Sequence, residues 1–124
     1  MGGRVELAIR GNLTEGDVLR TPSQAKPFKV GRIGRDGLEL LLGAGLWPVR
    51  LTWDCLEGVV PYLRARGRIP IGGRHSSVPN EGTLDGHLKL CTPVTTAGWV
   101  VSVLEAAGVV RIVRSRPALV ELTE

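Results

Sequence analysis

The sequence predicts an α+β fold: a small antiparallel sheet in the N-terminal part, then three helices and a closing β-hairpin, all around one core. Three observations carry this expectation. Short apolar runs separated by glycine turns fill residues 28–53, the apolar spacing becomes helical after Trp53, and two β-rich runs flank Ser115-Arg116-Pro117. A chain of 124 residues fits one domain, so the two parts, 1–51 and 52–124, are expected to share their interior.

In the first part Val5, Leu7 and Ile9 alternate with Glu6, Ala8 and Arg10, the period-two pattern of a half-buried strand. The stretch GNLTEGDVLRTPSQAKP is rich in turn formers, with Pro22 and Pro27 bracketing polar residues. FKVGRIGR, GLELLLG and WPVRLTW follow as three strands. Asp36-Gly37 and Gly43-Ala44-Gly45 separate them, and Asp-Gly is a hairpin signal because both turn positions favour positive φ.

Beyond Trp53, Leu56, Val59, Val60 and Leu63 fall at i, i+3, i+4 and i+7, and Asp54 with Glu57 has the form of a capping box. Pro61 kinks this helix or displaces its start, and Gly67 ends it. Arg68 to Ile71 is a short extended piece, and GGRHSSVPNEG is a loop. Thr83 caps a second helix, LDGHLKLC. Thr92 or Thr96 caps a third, AGWVVSVLEAAG, which Gly108 terminates. VVRIVR and ALVELT close the chain as a hairpin with arginines at its tip.

Composition and charge narrow the function. Apolar residues make up 43 % of the chain, and no apolar run approaches the roughly 20 residues of a membrane span, so a cytoplasmic protein with no membrane partner is expected. Cys55 and Cys91 lie in apolar segments without CxxC spacing and read as small core residues rather than as a bridge or ligands. Net charge is +4, from 13 arginines and 3 lysines against 12 acids. The stretch 58–80 has no acid but holds Arg64, Arg66, Arg68 and Arg74; 106–120 likewise holds Arg111, Arg114 and Arg116. Such runs suit a surface that meets phosphates, although Arg64 and Arg66 also fit the solvated end of a helix.

Catalysis has little support. Ser76, Ser77, His75, His87 and Asp85 lack a nucleophile elbow and an oriented base. His75, Asp85, His87 and Cys91 match no common zinc spacing, so no metal site is expected. IGGR has neither phosphate-loop nor dinucleotide-binding spacing, and no cofactor is expected. Carboxylates clustered ahead of a lysine, or paired histidines about an asparagine, are also missing, which argues against a nuclease centre.

The order helix, short strand, helix, helix, strand, turn, strand over residues 52–124 resembles the winged helix-turn-helix. IGG, GTLDGHLK and AGWVVSVLEAAGVV also look like small domains attached to actinobacterial restriction-type (HNH-like) nucleases. The resemblance implies a non-catalytic module that binds double-stranded DNA, modified DNA among its candidate targets, and leaves cutting to a nuclease domain or subunit. It places Thr92, Thr95, Thr96 and Ser102 near base edges, Arg114 and Arg116 at the wing with Arg111 behind them, and Arg74 and His75 beside the third helix as phosphate or groove contacts. That helix carries no Arg, Lys, Asn or Gln. Either loop and wing arginines carry the binding, or the helix packs on the N-terminal sheet or on a partner. A protein-interaction module, or a transcription regulator outside any restriction system, is the alternative. Oligomeric state is open.

Overall fold

The computed structural model describes residues 3–22, 24–72, 82–92, 96–115 and 117–124. It is mixed α+β. The N-terminal part is a helix, α1 (Arg4–Asn12), and a four-stranded antiparallel meander of β1 (Val18–Arg20), β2 (Pro27–Ile33), β3 (Gly37–Leu42) and β4 (Trp47–Thr52). Helices α2 (Trp53–Glu57) and α3 (Val59–Arg66), strand β5 (Ile69–Pro70), and helices α4 (Leu84–Leu88) and α5 (Ala97–Ala106) follow. Strands β6 (Val110–Val113) and β7 (Leu119–Leu122) form the closing hairpin, and β5 joins it in a three-stranded sheet of order β5-β7-β6.

The segment expected as a first strand is α1. Its pattern satisfies both periods: Val5 and Ile9 stand four apart and are buried on one helical face, while Leu7 is 62 % exposed. Tertiary structure decides between them. The Glu57 carboxylate accepts hydrogen bonds from the backbone N–H groups of Val5 (2.9 Å) and Glu6 (2.8 Å), so a residue about fifty positions away caps α1. Gly3 makes room, since a β-carbon there would run into that carboxylate. Glu57 therefore does not complete a capping box for its own helix. Thr52 is the cap of α2, its Oγ1 accepting from the Cys55 N–H at 3.2 Å.

Between β2 and β3 the hairpin forms where expected but for another reason. Neither Asp36 nor Gly37 has positive φ. Gly34 N–H donates to the Gly37 carbonyl at 2.9 Å, and Gly37 is needed because a β-carbon would meet the Leu51 carbonyl of β4. The β3–β4 turn does use positive φ, at Gly43 (68°) and Leu46 (52°). Pro61 falls in the first turn of α3, where its missing N–H costs nothing, and the break at Gly58 separates α2 from α3.

One apolar cluster runs through both parts, from Val5 and Ile9 through Phe28, Leu38 and Leu40 to Val100, Leu104, Ile112 and Val120. Helix α5 packs on α1 and β1 as well as on α4 and β6. Cys55 and Cys91, expected as separate core thiols, are joined in a disulfide with Cα atoms 6.0 Å apart, tying α2 to the turn after α4. Sequence distance hid this pairing. A bridge across 36 residues is worth about 4 kcal/mol against the reduced chain in the loop-closure picture.

Replacing Glu57 by Ala removes both hydrogen bonds to α1 and leaves two helix-terminal N–H groups without their carboxylate. We expect a loss of about 1–3 kcal/mol in urea unfolding. A change under about 0.5 kcal/mol, within the range of ordinary surface substitutions, would show that solvent caps α1 equally well.

Candidate nucleic-acid interface

The outward faces of β5, β6 and β7 are where charge gathers. Ile69, Val110, Ile112 and Val120 point into the core, so by strand alternation Arg111 and Glu121 point out. They are directly opposed in the ladder, with Arg111 Nε 3.4 Å from a Glu121 oxygen. Arg68, just ahead of β5, reaches the same oxygen at 3.2 Å. Three residues along, Glu124 is likewise shared, by Arg64 at 2.7 Å and Arg4 at 2.8 Å.

Two carboxylates thus face four guanidinium groups. Each arginine meets its carboxylate through one nitrogen of a fork that holds five N–H donors, and the four side chains are 46–64 % exposed. Each cluster therefore keeps donors open to solvent beside a net positive charge. Hydrogen bonds from Arg64 and Arg4 hold the Glu124 carboxyl below the usual glutamate range. Nearby, Arg114 grips Glu105 of α5 through both terminal nitrogens, at 3.1 and 3.2 Å, and this raises its pKa further.

The residues expected to meet DNA fare unevenly. Arg111 and Arg114 are exposed or nearly so at their guanidinium ends, each with an acidic partner from just beyond the acid-free run that drew attention to it. Thr96 is buried, and its Oγ1 has no hydrogen-bond partner among the described residues. Ser102 is also buried, donating to the Arg20 carbonyl of β1 at 2.8 Å and to the Gly98 carbonyl at 3.1 Å. Neither hydroxyl is turned toward solvent, because α5 packs against the N-terminal part. Thr92 is half-buried after α4, its N–H on the Leu88 carbonyl. Arg74, His75, Thr95 and Arg116 lie outside the described residues.

Arg4 stands in no basic run, and Arg64 and Arg68 belong to one without distinction from their neighbours. Arg4 and Arg64 meet through Glu124, and Arg68 meets Arg111 through Glu121, connections that residue order along the chain does not contain. The opposite sheet has its own basic edge, where Arg32 and Arg35 line a shallow groove with Arg50, Asp36 and Glu39. Among the described residues, no helix is long and apolar enough to cross a membrane.

Compared with family models, with curated proteins and with solved structures, the chain matches none.

The shared pairing makes stability depend on pH. Because Glu124 titrates below its unfolded value, its pairing stabilises the fold above the ordinary glutamate pKa and is lost as pH falls through the lowered one. An NMR titration of the Glu124 carboxyl should show that low midpoint and its return to the ordinary range in Arg4→Gln/Arg64→Gln; an unshifted wild-type midpoint would count against the shared pairing. Replacing Thr96 by Val removes a buried hydroxyl that has no partner among the described residues, so thermal unfolding should show stability unchanged or slightly raised, within about 1 kcal/mol. A marked loss would reveal a partner for Oγ1.

Proposed function

We propose that residues 52–124 form a winged helix-turn-helix that binds double-stranded DNA without catalysis, serving as the recognition module of a restriction or defence system whose cutting centre lies in another domain or subunit. Support for the winged helix comes from the order α2/α3, β5, α4, α5, β6, β7 and from β5 completing the sheet of the closing hairpin. The observation that carries the binding reading is two exposed clusters, Arg68 and Arg111 sharing Glu121 at the hairpin sheet, and Arg4 of α1 and Arg64 of α3 sharing Glu124.

A phosphate is a better partner for these groups than an exposed carboxylate. Exposed ion pairs are worth about 0–1 kcal/mol, so little is forfeited when a guanidinium turns some of its donors to a phosphate oxygen. Each phosphate neutralised also releases condensed counterions, a favourable term that an intramolecular pair lacks. Binding of this kind fixes the protein on the duplex but carries no sequence information by itself. Base readout then falls to loop and wing residues rather than to the hydroxyls of α5.

A second reading has its own observation. Trp47, at the tip of the β3–β4 hairpin, is 71 % exposed, with Leu46 beside it at 43 %. Aromatic side chains so placed are anchors in protein interfaces, which favours a protein-binding module as the alternative.

Salt separates the two. With about five phosphate contacts, duplex affinity should fall by two to three powers of ten between about 50 and 200 mM salt, whereas an apolar contact through Trp47 should hardly change. Arg64→Gln/Arg68→Gln/Arg111→Gln should weaken binding to every duplex and flatten the log–log salt slope by about 0.9 for each phosphate no longer neutralised. Lys29→Gln, on the other sheet, is the control. If the triple variant bound as tightly as wild type, with the same slope, these arginines would not be the DNA surface.

A further inference from the structure

Cys55, His87 and Cys91 come together from three places: the middle of α2, the body of α4, and the turn one helical period beyond His87. One donor atom from each lies within 4.8 Å of the others. In the disulfide form the two sulfurs bond to one another and the imidazole stands beside them. We infer that when the bridge is reduced, these three side chains form a binding site for a single zinc-like divalent ion.

The donors have the right chemistry and spacing. Two thiolates and an imidazole are typical zinc ligands. Bonds of about 2.3 Å to sulfur and about 2.0–2.1 Å to nitrogen set tetrahedral ligand atoms roughly 3.5–3.8 Å apart. Donor atoms already within 4.8 Å of one another are near that spacing, and reduction frees the two bonded sulfurs to part to it. The fourth position falls to water, as in other three-ligand zinc sites.

The imidazole is also oriented. His87 Nε2 lies 3.1 Å from the Cys55 backbone carbonyl oxygen, which can only accept; the tautomer protonated at Nε2 satisfies it and leaves the lone pair on Nδ1 for a metal. A backbone carbonyl on the second nitrogen is the support that ligating histidines ordinarily have. The Tyr62 ring packs against His87 at 5.0 Å between centroids, and Gly58 leaves room for the imidazole, since a β-carbon there would come within 3.0 Å of it. Tyr62 is itself tethered by its hydroxyl, which donates to the Thr83 carbonyl at 2.7 Å. Cys55 is buried while Cys91 is exposed, so the site has a protein wall on one side and an entry on the other.

A dithiol or a phosphine supplies two electrons to the disulfide; with two protons, the S–S bond becomes two thiols, and the reductant becomes a disulfide or, with water supplying the oxygen, a phosphine oxide. Metal binding then forms two metal–sulfur bonds and releases two protons. The tie between α2 and α4 is thereby covalent under oxidising conditions and coordinative under reducing ones. It does not depend on whether the chain binds DNA.

The test uses the full chain, reduced by a phosphine under anaerobic conditions and titrated with cobalt(II), then with zinc(II). Reduced wild type should take up one cobalt, with sulfur-to-cobalt charge-transfer absorption and the visible bands of tetrahedral coordination, and zinc should displace it. The oxidised protein should show neither. His87→Ala keeps both cysteines, so its fold is checked in the disulfide form by circular dichroism before reduction; its cobalt affinity should fall at least tenfold. Cys91→Ser should abolish the charge-transfer band of a two-thiolate site. Failure of the reduced wild type to bind one ion, or an affinity in His87→Ala equal to that of wild type, would overturn the site.

Discussion

Burial of α5 is the constraint on which the rest of the molecule depends. Ala97, Val100, Val101, Ser102, Val103 and Leu104 are all inside, Gly98, Trp99 and Glu105 are half-buried, and only Ala106 of the helix is exposed. A helix apolar on nearly every side must be surrounded. Helices α1 and α4 and strands β1 and β6 supply that surround, and in doing so they join the N-terminal sheet and the C-terminal hairpin into one interior. The Ser102 hydroxyl shows how close the approach is: it reaches the backbone carbonyl of Arg20 in β1 rather than solvent. A helix so enclosed supports its surroundings, and the polar chemistry is left to the strands and loops around it.

With α5 enclosed, these exposed ion pairs lie at the hairpin sheet and around the end of the chain after β7. Along the chain the arginines look unopposed, but folding places Glu121 between Arg68 and Arg111, and Glu124 between Arg4 and Arg64. A carboxylate divided between two guanidinium groups neutralises only one of their charges, so each cluster keeps a positive excess.

Much of the scaffold was legible in the sequence because local signals and tertiary structure agreed. The three strands from Phe28 to Thr52, the helical switch at Trp53, the caps and stops at Thr83, Gly67 and Gly108, and the final hairpin all declare themselves in residue spacing. The failures share one physical cause. Val5 to Ile9 fits both a strand and a helix, and the carboxylate that selects the helix sits on Glu57. Cys55 and Cys91 give no spacing signal because their contact is made by α2 meeting α4. Thr96 and Ser102 have the character of surface residues on a reading helix, and only the packing of α5 on β1 shows where their hydroxyls go. In each case the deciding partner is distant in sequence, and the residue's own neighbours are silent about it.

A cross-link belongs at α4 for a related physical reason. A helix of five residues is far below the length at which hydrogen bonding repays the ordering of its first turn, so α4 must be held from outside. Leu84 and Leu88 anchor its inner face, and the Thr83 Oγ1 accepts from the Gly86 N–H at its start. Neither anchor restrains the turn that follows, where Leu90 is 83 % exposed and Cys91 also faces solvent. A bond from Cys91 to Cys55 fixes that end directly to α2, whose Glu57 in turn caps α1. One short chain of contacts thus runs from α4 through α2 to the N-terminal helix. Whatever joins the two sulfurs sets how firmly the end of α4 is held to α2.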